Sequence, residues 1–157
     1  MSFTVRRVVT GHDAQGRAKV LRDEQMPNVF SPRPGATYSV IWSTEGPVNN
    51  DDETDPSGKT IGTAIDNGTV FRVVSYAPGV SRRNHRTDSI DYGVVLSGEI
   101  DMELDVETVH LKAGDVIVQR GTIHNWANNG KVPCVIAFTL IGAKPAMPGG
   151  KPLPAHG

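Results

Sequence analysis

The sequence predicts an all-β fold, a single sandwich or barrel of short antiparallel strands. Segments rich in β-branched and aromatic residues recur at spacings of roughly 8–12 residues, which is typical of such folds. The 17 glycines and 11 prolines are spread along the chain as turn signals between these segments. Beyond residue 69, no stretch has a helical period over a useful length.

The first part of the chain, residues 1–68, is predicted to supply strands and one acidic loop that pack on the barrel. The segments with strand composition are 3–9, 19–24 and 37–44, and the segment SPRPGA at 31–36 has loop composition. The polar stretch 45–62 is too long and too acidic for a tight turn, so it predicts a mobile loop or lid. It lacks the alternate-residue spacing of a calcium loop, and we expect it to be solvated.

Residues 69–141 are predicted to form the barrel core, because strand signals follow one another closely there. The predicted strands lie within 69–79, 91–98, 99–105, 109–115, 116–121 and 134–142. On an early strand outside this core, Tyr38 and Trp42 share one face, which favours core packing. The Pro- and Gly-rich tail, residues 142–157, is expected to be disordered or loosely draped.

Length and charge restrict the possible functions. A chain of 157 residues suits one domain. Its 16 basic and 17 acidic residues are interspersed, which argues against nucleic acid and anionic membranes as partners. The single cysteine, Cys134, lies in an apolar run and predicts a buried thiol. The N-terminus has no signal-peptide core and no apolar run reaches the ~20 residues of a membrane helix, so we expect a cytoplasmic protein.

Polar residues that share strand faces give the candidate site. Residues two apart in a strand face the same way, so Arg83, His85 and Thr87 share one face, and His124 and Trp126 share another. Asp91 shares a face with Gly93 and Val95 on the strand that follows His85. Two histidines and a carboxylate that converge inside a barrel form a three-ligand metal set with open positions, suited to Fe, Zn or Mn.

The spacing around the first histidine is regular. Gly79 is followed after five residues by His85-Arg86-Thr87, after three more by Asp91, and after six more by Gly98.

A second spaced set follows fifteen residues later. Gly114 precedes Arg120 and Gly121, and His124 follows that glycine after two intervening residues. Asn128 follows His124 after three intervening residues.

Together these spacings resemble the two motifs of the cupin superfamily, in a small single-domain form with a degenerate first motif. The resemblance implies a double-stranded β-helix, or jelly-roll, barrel. It places His85 and His124 at metal-ligand positions, whereas Asp91 replaces the usual glutamate and matches in chemical type. Thr87 stands where a further histidine ligand is usual, and Arg120-Gly121 replaces a Pro-x-Gly segment.

For three further residues near the candidate site, the sequence leaves two roles open. Arg83 either meets a substrate carboxylate or is a solvated surface arginine, and Trp126 is either a pocket wall or core. Thr87 is structural or a hydroxyl that orients a ligand. His110 is expected on the exposed face of its strand.

Two functions are compatible with this site. The first is a metal-dependent enzyme with a decarboxylase- or isomerase-like reaction on a small carboxylated or cyclic oxygenated substrate, or an Fe(II) dioxygenase. The second is a metal-free cupin that binds a small molecule without catalysis. Small cupins resemble one another in pairing their barrels, which implies a homodimer.

Overall fold

The computed structural model describes residues 3–157, whose regular secondary structure is almost entirely β-strand. The eleven strands are β1 Arg6–His12, β2 Ala18–Gln25, β3 Val29–Arg33, β4 Ala36–Glu45, β5 Gly68–Tyr76, β6 Ser89–Ser97, β7 Glu99–Glu103, β8 Thr108–Lys112, β9 Val116–Arg120, β10 Asn125–Ala127 and β11 Cys134–Gly142. The helical content of residues 3–157 is two short 3₁₀ turns, at Pro56–Gly58 and Pro148–Gly150. None of these helices is long and apolar enough to cross a membrane.

Two antiparallel sheets enclose the core. The larger has six strands in the order β3-β4-β5-β11-β6-β9, and the smaller has the order β10-β7-β8. Because side chains alternate across a strand, β11 directs Cys134, Ile136, Phe138 and Leu140 inward, and all four are buried. Ile100 and Met102 of β7 face them from the smaller sheet and belong to the same cluster. This arrangement confirms the predicted all-β barrel.

The N-terminal strands play two different parts. Strands β3 and β4 extend the larger sheet at its edge, whereas β1 and β2 pair as a separate hairpin. Met26, Ile41 and Val73 form a second apolar cluster that packs against Phe3 and Val5. The chain that precedes the barrel thus covers part of its outer face.

A buried arginine ties this hairpin to the acidic loop. Arg7 is 3% exposed, and its guanidinium makes ion pairs with Asp55 at 2.7 Å and with Glu24. Asp55 also accepts a hydrogen bond from the Ser57 N–H, which caps the 3₁₀ turn. Residues 45–62, predicted as a mobile loop or lid, are therefore anchored near their C-terminal end.

Gly98 of the first motif is required by its surroundings. Its φ is +75°, a conformation that side chains disfavour, and a Cβ there would lie 2.5 Å from the Pro133 carbonyl oxygen. This glycine therefore permits the close turn between β6 and β7.

Two expectations for the N-terminal strands differ from the structure. Residues 31–36 were expected to be a loop, but Val29–Arg33 pairs with β4. The register of β4 shifts between Val40 and Trp42, so a β-bulge separates the faces of Tyr38 and Trp42. Tyr38 packs on the main core, while Trp42 lies under the Arg7 guanidinium at 5.9 Å.

The tail is also ordered along the barrel. The Leu153 N–H donates to Ala146, and Arg86 and His156 exchange backbone hydrogen bonds of 2.8 and 2.9 Å. The tail is mostly exposed, and these few strand-like backbone bonds hold it along the barrel.

Candidate functional site

His85 and His124 form the centre of the candidate site. His124 directly precedes β10, and His85 lies on the extended segment before β6, where the two residues make an antiparallel bridge. Their ring centroids are 4.2 Å apart, and both residues are buried. The structure thus brings together the two histidines, one from each motif.

Backbone carbonyls lie beside Nδ1 of both rings. Nδ1 of His124 lies 2.9 Å from the Thr122 carbonyl oxygen, and Nδ1 of His85 lies 3.3 Å from that of Arg83. A carbonyl only accepts, so Nδ1 of His85 carries the proton and its Nε2 keeps a lone pair. Nδ1 of His124 also contacts the Gln119 side-chain amide, so this nitrogen is engaged by the protein. Burial lowers the pKa of His85 to about 3 and that of His124 to about 4, and the neighbouring ring adds to the effect on His85. Both imidazoles are therefore neutral and suited to metal ligation at neutral pH.

Gln119 of β9 supports His124 and was missed by the sequence interpretation. Its side-chain amide contacts Nδ1 of His124 and lies 3.2 Å from the Thr122 hydroxyl. The other amide atom, Oε1, is buried and has no hydrogen-bond partner among the described residues. Its position opposite Asp91 in the sheet register could have signalled it, because that register makes Gln119 point inward.

Asp91 lies at the end of a short chain of hydrogen bonds. The hydroxyls of Thr87 and Ser89 are 2.8 Å apart, and Ser89 donates to Asp91 at 2.5 Å. Burial raises the pKa of Asp91, although Ser89 opposes this effect. Within residues 3–157, no group of three or more His, Cys, Asp or Glu side chains has the geometry to hold a metal ion. The structure therefore assembles the histidine pair without Asp91 as a third ligand.

The remaining predicted residues surround this pair. Trp126 is buried, and its ring centroid lies 5.8 Å from that of His124 and 6.0 Å from that of Tyr76. It therefore forms a wall beside the histidines. The guanidinium of Arg83 donates to the Gly157 carbonyl oxygen at 2.6 Å, so in this arrangement it engages the tail.

Asn128 of the second motif has a structural role. Its amide nitrogen donates to the carbonyls of Tyr76 and Val132, and its oxygen accepts from the Gly130 N–H. Its hydrogen bonds therefore hold together the turn between β10 and β11.

Comparisons with known proteins agree with this geometry. Residues 72–141 match the family model described as the cupin domain. The chain is 34% identical over 164 residues to the cupin-domain-containing oxidoreductase fogC of Aspergillus ruber, covering 96% of this chain and 78% of that protein. The chain belongs to the cupin family. A second relative, the phomopsin biosynthesis cluster protein C' of Diaporthe leptostromiformis, is 37% identical over 94% of this chain and 84% of its own length.

Two solved structures share the fold. The cupin domain of Schizosaccharomyces pombe Cnp3 aligns with a TM-score of 0.54 over 87% of both chains, at 14% identity. KdgF from Halomonas sp. aligns with a TM-score of 0.52 over 73% of this chain and 86% of that one, at 17% identity. At these identities the likeness establishes the fold alone.

Cupins often bind a metal, and the donor set of this cupin fits one in part. His85 and His124 present two neutral imidazoles whose Nδ1 positions are already satisfied. The unpartnered Gln119 amide atom adds a buried polar group beside them. A metal bound by the two histidines would complete its coordination with water, substrate or a rearranged Asp91.

Proposed function

We propose that this cupin is an enzyme that transforms a small oxygenated organic molecule inside its barrel, with a divalent metal held by His85 and His124. The observation that carries the proposal is the pair of buried, neutral imidazoles whose ring centroids lie 4.2 Å apart. Two buried histidines are costly to retain as plain core, since each needs its polar atoms satisfied.

The names of the relatives favour an oxidoreductase reaction. The relatives from Aspergillus ruber and Hypocrea virens are both described as cupin-domain-containing oxidoreductases. A bound metal would supply Lewis-acid polarisation of a substrate oxygen and, if iron, redox chemistry with oxygen. We therefore rank oxidation first and decarboxylation or isomerisation, which needs the same polarisation, second.

The protein's own residues would prepare the site in three ways. The Thr122 and Arg83 carbonyls orient the two imidazoles, and the Gln119 amide fixes the position of His124. Trp126 closes one side of the site with an apolar ring and limits the access of water. Such a dry, preoriented site strengthens electrostatic interactions with a bound substrate.

A second candidate is a metal-free binding protein. It is favoured by Asp91, which accepts from Ser89 instead of completing a three-residue metal group. In that case the same polar residues would recognise a ligand by hydrogen bonds alone.

Metal analysis of untagged protein distinguishes the candidates. We expect close to one Fe, Zn or Mn per chain after reconstitution and dialysis, and a loss of about tenfold or more in affinity for His85→Gln. His110→Gln is the matched control, because His110 is exposed and pairs with Asp101 on the outside. Equal metal content in wild type and His85→Gln would reject the metal enzyme.

A further inference from the structure

Arg72 lies in the middle of β5 and points into the barrel. It pairs in register with Val40 on one side and Phe138 on the other, and both belong to the main core. Its guanidinium carbon lies 5.7 Å from the centroid of the Tyr38 ring. An arginine thus occupies an inward position on a strand whose other inward residues include Val70 and Val74.

Arg72 shares the barrel with the histidine pair. The ring of Phe138, its neighbour across the sheet, lies 5.7 Å from that of Trp126, which in turn contacts His124. Burial is the main cause of the lowered pKa of both His85 and His124, and the positive charge of Arg72 adds to it, which is consistent with a common interior.

The positive charge of Arg72 lacks a direct partner. Its Nε is buried without a hydrogen-bond partner in residues 3–157, and no carboxylate of this part of the chain lies within salt-bridge distance of it. Arg33 and Arg83 direct their side chains to the backbone carbonyls of Ser81 and Gly157 instead of to carboxylates. Asp91 is the buried carboxylate whose charge acts on Arg72, but it lies beyond salt-bridge distance and accepts a hydrogen bond from Ser89. The donors of the Arg72 guanidinium therefore remain available to a ligand.

A guanidinium held among apolar side chains without a direct partner is unfavourable, and a ligand that supplies the missing charge relieves this cost. Arginine matches the two oxygens of a carboxylate with parallel N–H donors, a geometry that lysine cannot reproduce. The apolar neighbours of Arg72 would strengthen such a pair by excluding water.

We propose that Arg72 binds the anionic group of the substrate, so that the barrel selects small organic carboxylates. The inference rests on the proposed function in one respect, since it places the substrate beside the histidine pair. Arg72 is then a specificity-determining residue that orients the rest of the molecule toward His85 and His124, with the Tyr38 ring beside it.

Probe molecules test this inference without knowledge of the substrate. Acetate, propionate and benzoate are titrated against acetamide, propionamide and benzamide at constant ionic strength, with EDTA present so that no metal contributes. The readout is the indole N–H signal of Trp126 in ¹⁵N-labelled protein. Trp42 lies outside the barrel and serves as an internal control in the same spectrum.

We expect at least one carboxylate to shift the Trp126 signal while its amide does not. Arg72→Gln should raise the Kd of that carboxylate about tenfold or more, as expected for loss of a charged hydrogen-bonded pair. Arg120→Gln removes an equal charge from an exposed position and should leave the Kd unchanged. If Arg72→Gln fails to fold, Arg72→Lys keeps the charge, loses the two-point geometry and should still weaken binding.

Two results would overturn the inference. One is carboxylate binding of equal strength in wild type and the Arg72 variants, and the other is a Trp126 signal that no carboxylate moves in preference to its amide. Because EDTA is present, the outcome is independent of metal binding. Loss of the metal site with retained Arg72-dependent binding would reject the metal enzyme and leave the anion site standing.

Discussion

His85 and His124 exchange backbone hydrogen bonds in both directions, each N–H donating to the other residue's carbonyl oxygen at 3.0 Å. A pair of this kind holds the two Cα atoms about 5.5 Å apart and fixes the direction of both side chains. The backbone therefore sets the distance between the two imidazoles before any ligand binds. The two motif histidines, distant in sequence, become one structural unit.

The first prediction concerns pH and the two histidines. An unfolded histidine titrates near pH 6.5, whereas folding lowers the pKa of His85 to about 3 and of His124 to about 4. Below pH 6.5 the unfolded chain therefore binds more protons than the folded protein. The contribution of the two neutral histidines to stability is complete above pH 6.5, and it is lost as the pH falls toward 4 and 3. Between pH 7 and pH 5 we expect a loss of about 1–2 kcal/mol per histidine in EDTA.

Urea unfolding at both pH values measures this effect. The double variant His85→Gln/His124→Gln should lose clearly less stability between pH 7 and pH 5 than wild type. Equal losses in the two proteins would mean that the histidines are not neutral in the folded state.

The second prediction concerns Asp91. Burial raises its pKa, so ionisation at neutral pH costs stability, and Asp91→Asn should leave the metal-free protein at least as stable as wild type. If Asp91 moves to complete the coordination, the same variant should weaken metal binding about tenfold or more. Asp91→Glu restores the usual family residue with a longer reach, and it should hold metal as well as wild type or better. Unchanged metal binding in both variants would exclude Asp91 from the site.

The third prediction concerns the anchor of the acidic loop. Asp55→Ala leaves the buried Arg7 guanidinium with Glu24 as its one ion-pair partner in residues 3–157, beside the Ile41 carbonyl, and we expect a loss of about 2 kcal/mol in unfolding free energy. Asp51→Ala is the matched control, because Asp51 is an exposed carboxylate of the same loop. Its effect should stay within about 0.5 kcal/mol. Equal effects of the two substitutions in chemical denaturation would show that the ion pair does not anchor the loop.

The fourth prediction is a homodimer formed through the outer face of β6 and β9. This face presents exposed apolar residues in facing pairs, Tyr92 with Val118 and Val94 with Val116, and β9 is the outermost strand of its sheet. A second copy related by a two-fold axis offers the same apolar face and an equivalent edge strand. Sedimentation should give twice the mass of one chain at micromolar concentration.

Val118→Glu should dissociate this dimer, since it places a charge at the centre of the apolar face. Val106→Glu changes another exposed valine, in the turn between β7 and β8, and should leave the mass unchanged. A monomeric wild type, or a dimeric Val118→Glu variant, would reject this interface.

Alternation and turn residues were sufficient to predict the barrel and most of its strands. Strand β11 has the predicted bounds, 134–142, because its apolar run is long and ends at glycine. Strand β3 was missed because its segment contains proline, which is tolerated on an edge strand where no ladder bond is lost. The predicted face of Trp42 on its strand was wrong because a β-bulge shifts the alternation of side chains, and the alternating sequence pattern does not show where a bulge lies.

The site was only partly predictable for a similar reason. Motif spacing located His85, His124 and Asp91, but no spacing reveals that Ser89 holds Asp91 or that Gln119 supports His124. Arg72 was overlooked because a single arginine in an apolar strand is usually placed on the solvent face. The sheet register, which only the fold provides, turns it inward.

The most direct test of the central claim is a crystal structure of the metal-reconstituted protein, with anomalous diffraction recorded at the absorption edge of the bound metal. The account predicts one peak per chain, about 2.0–2.2 Å from Nε2 of both His85 and His124. Full reconstitution with no peak at this pair, or with the metal bound elsewhere, would contradict the assignment of these histidines as the metal centre of a cupin enzyme.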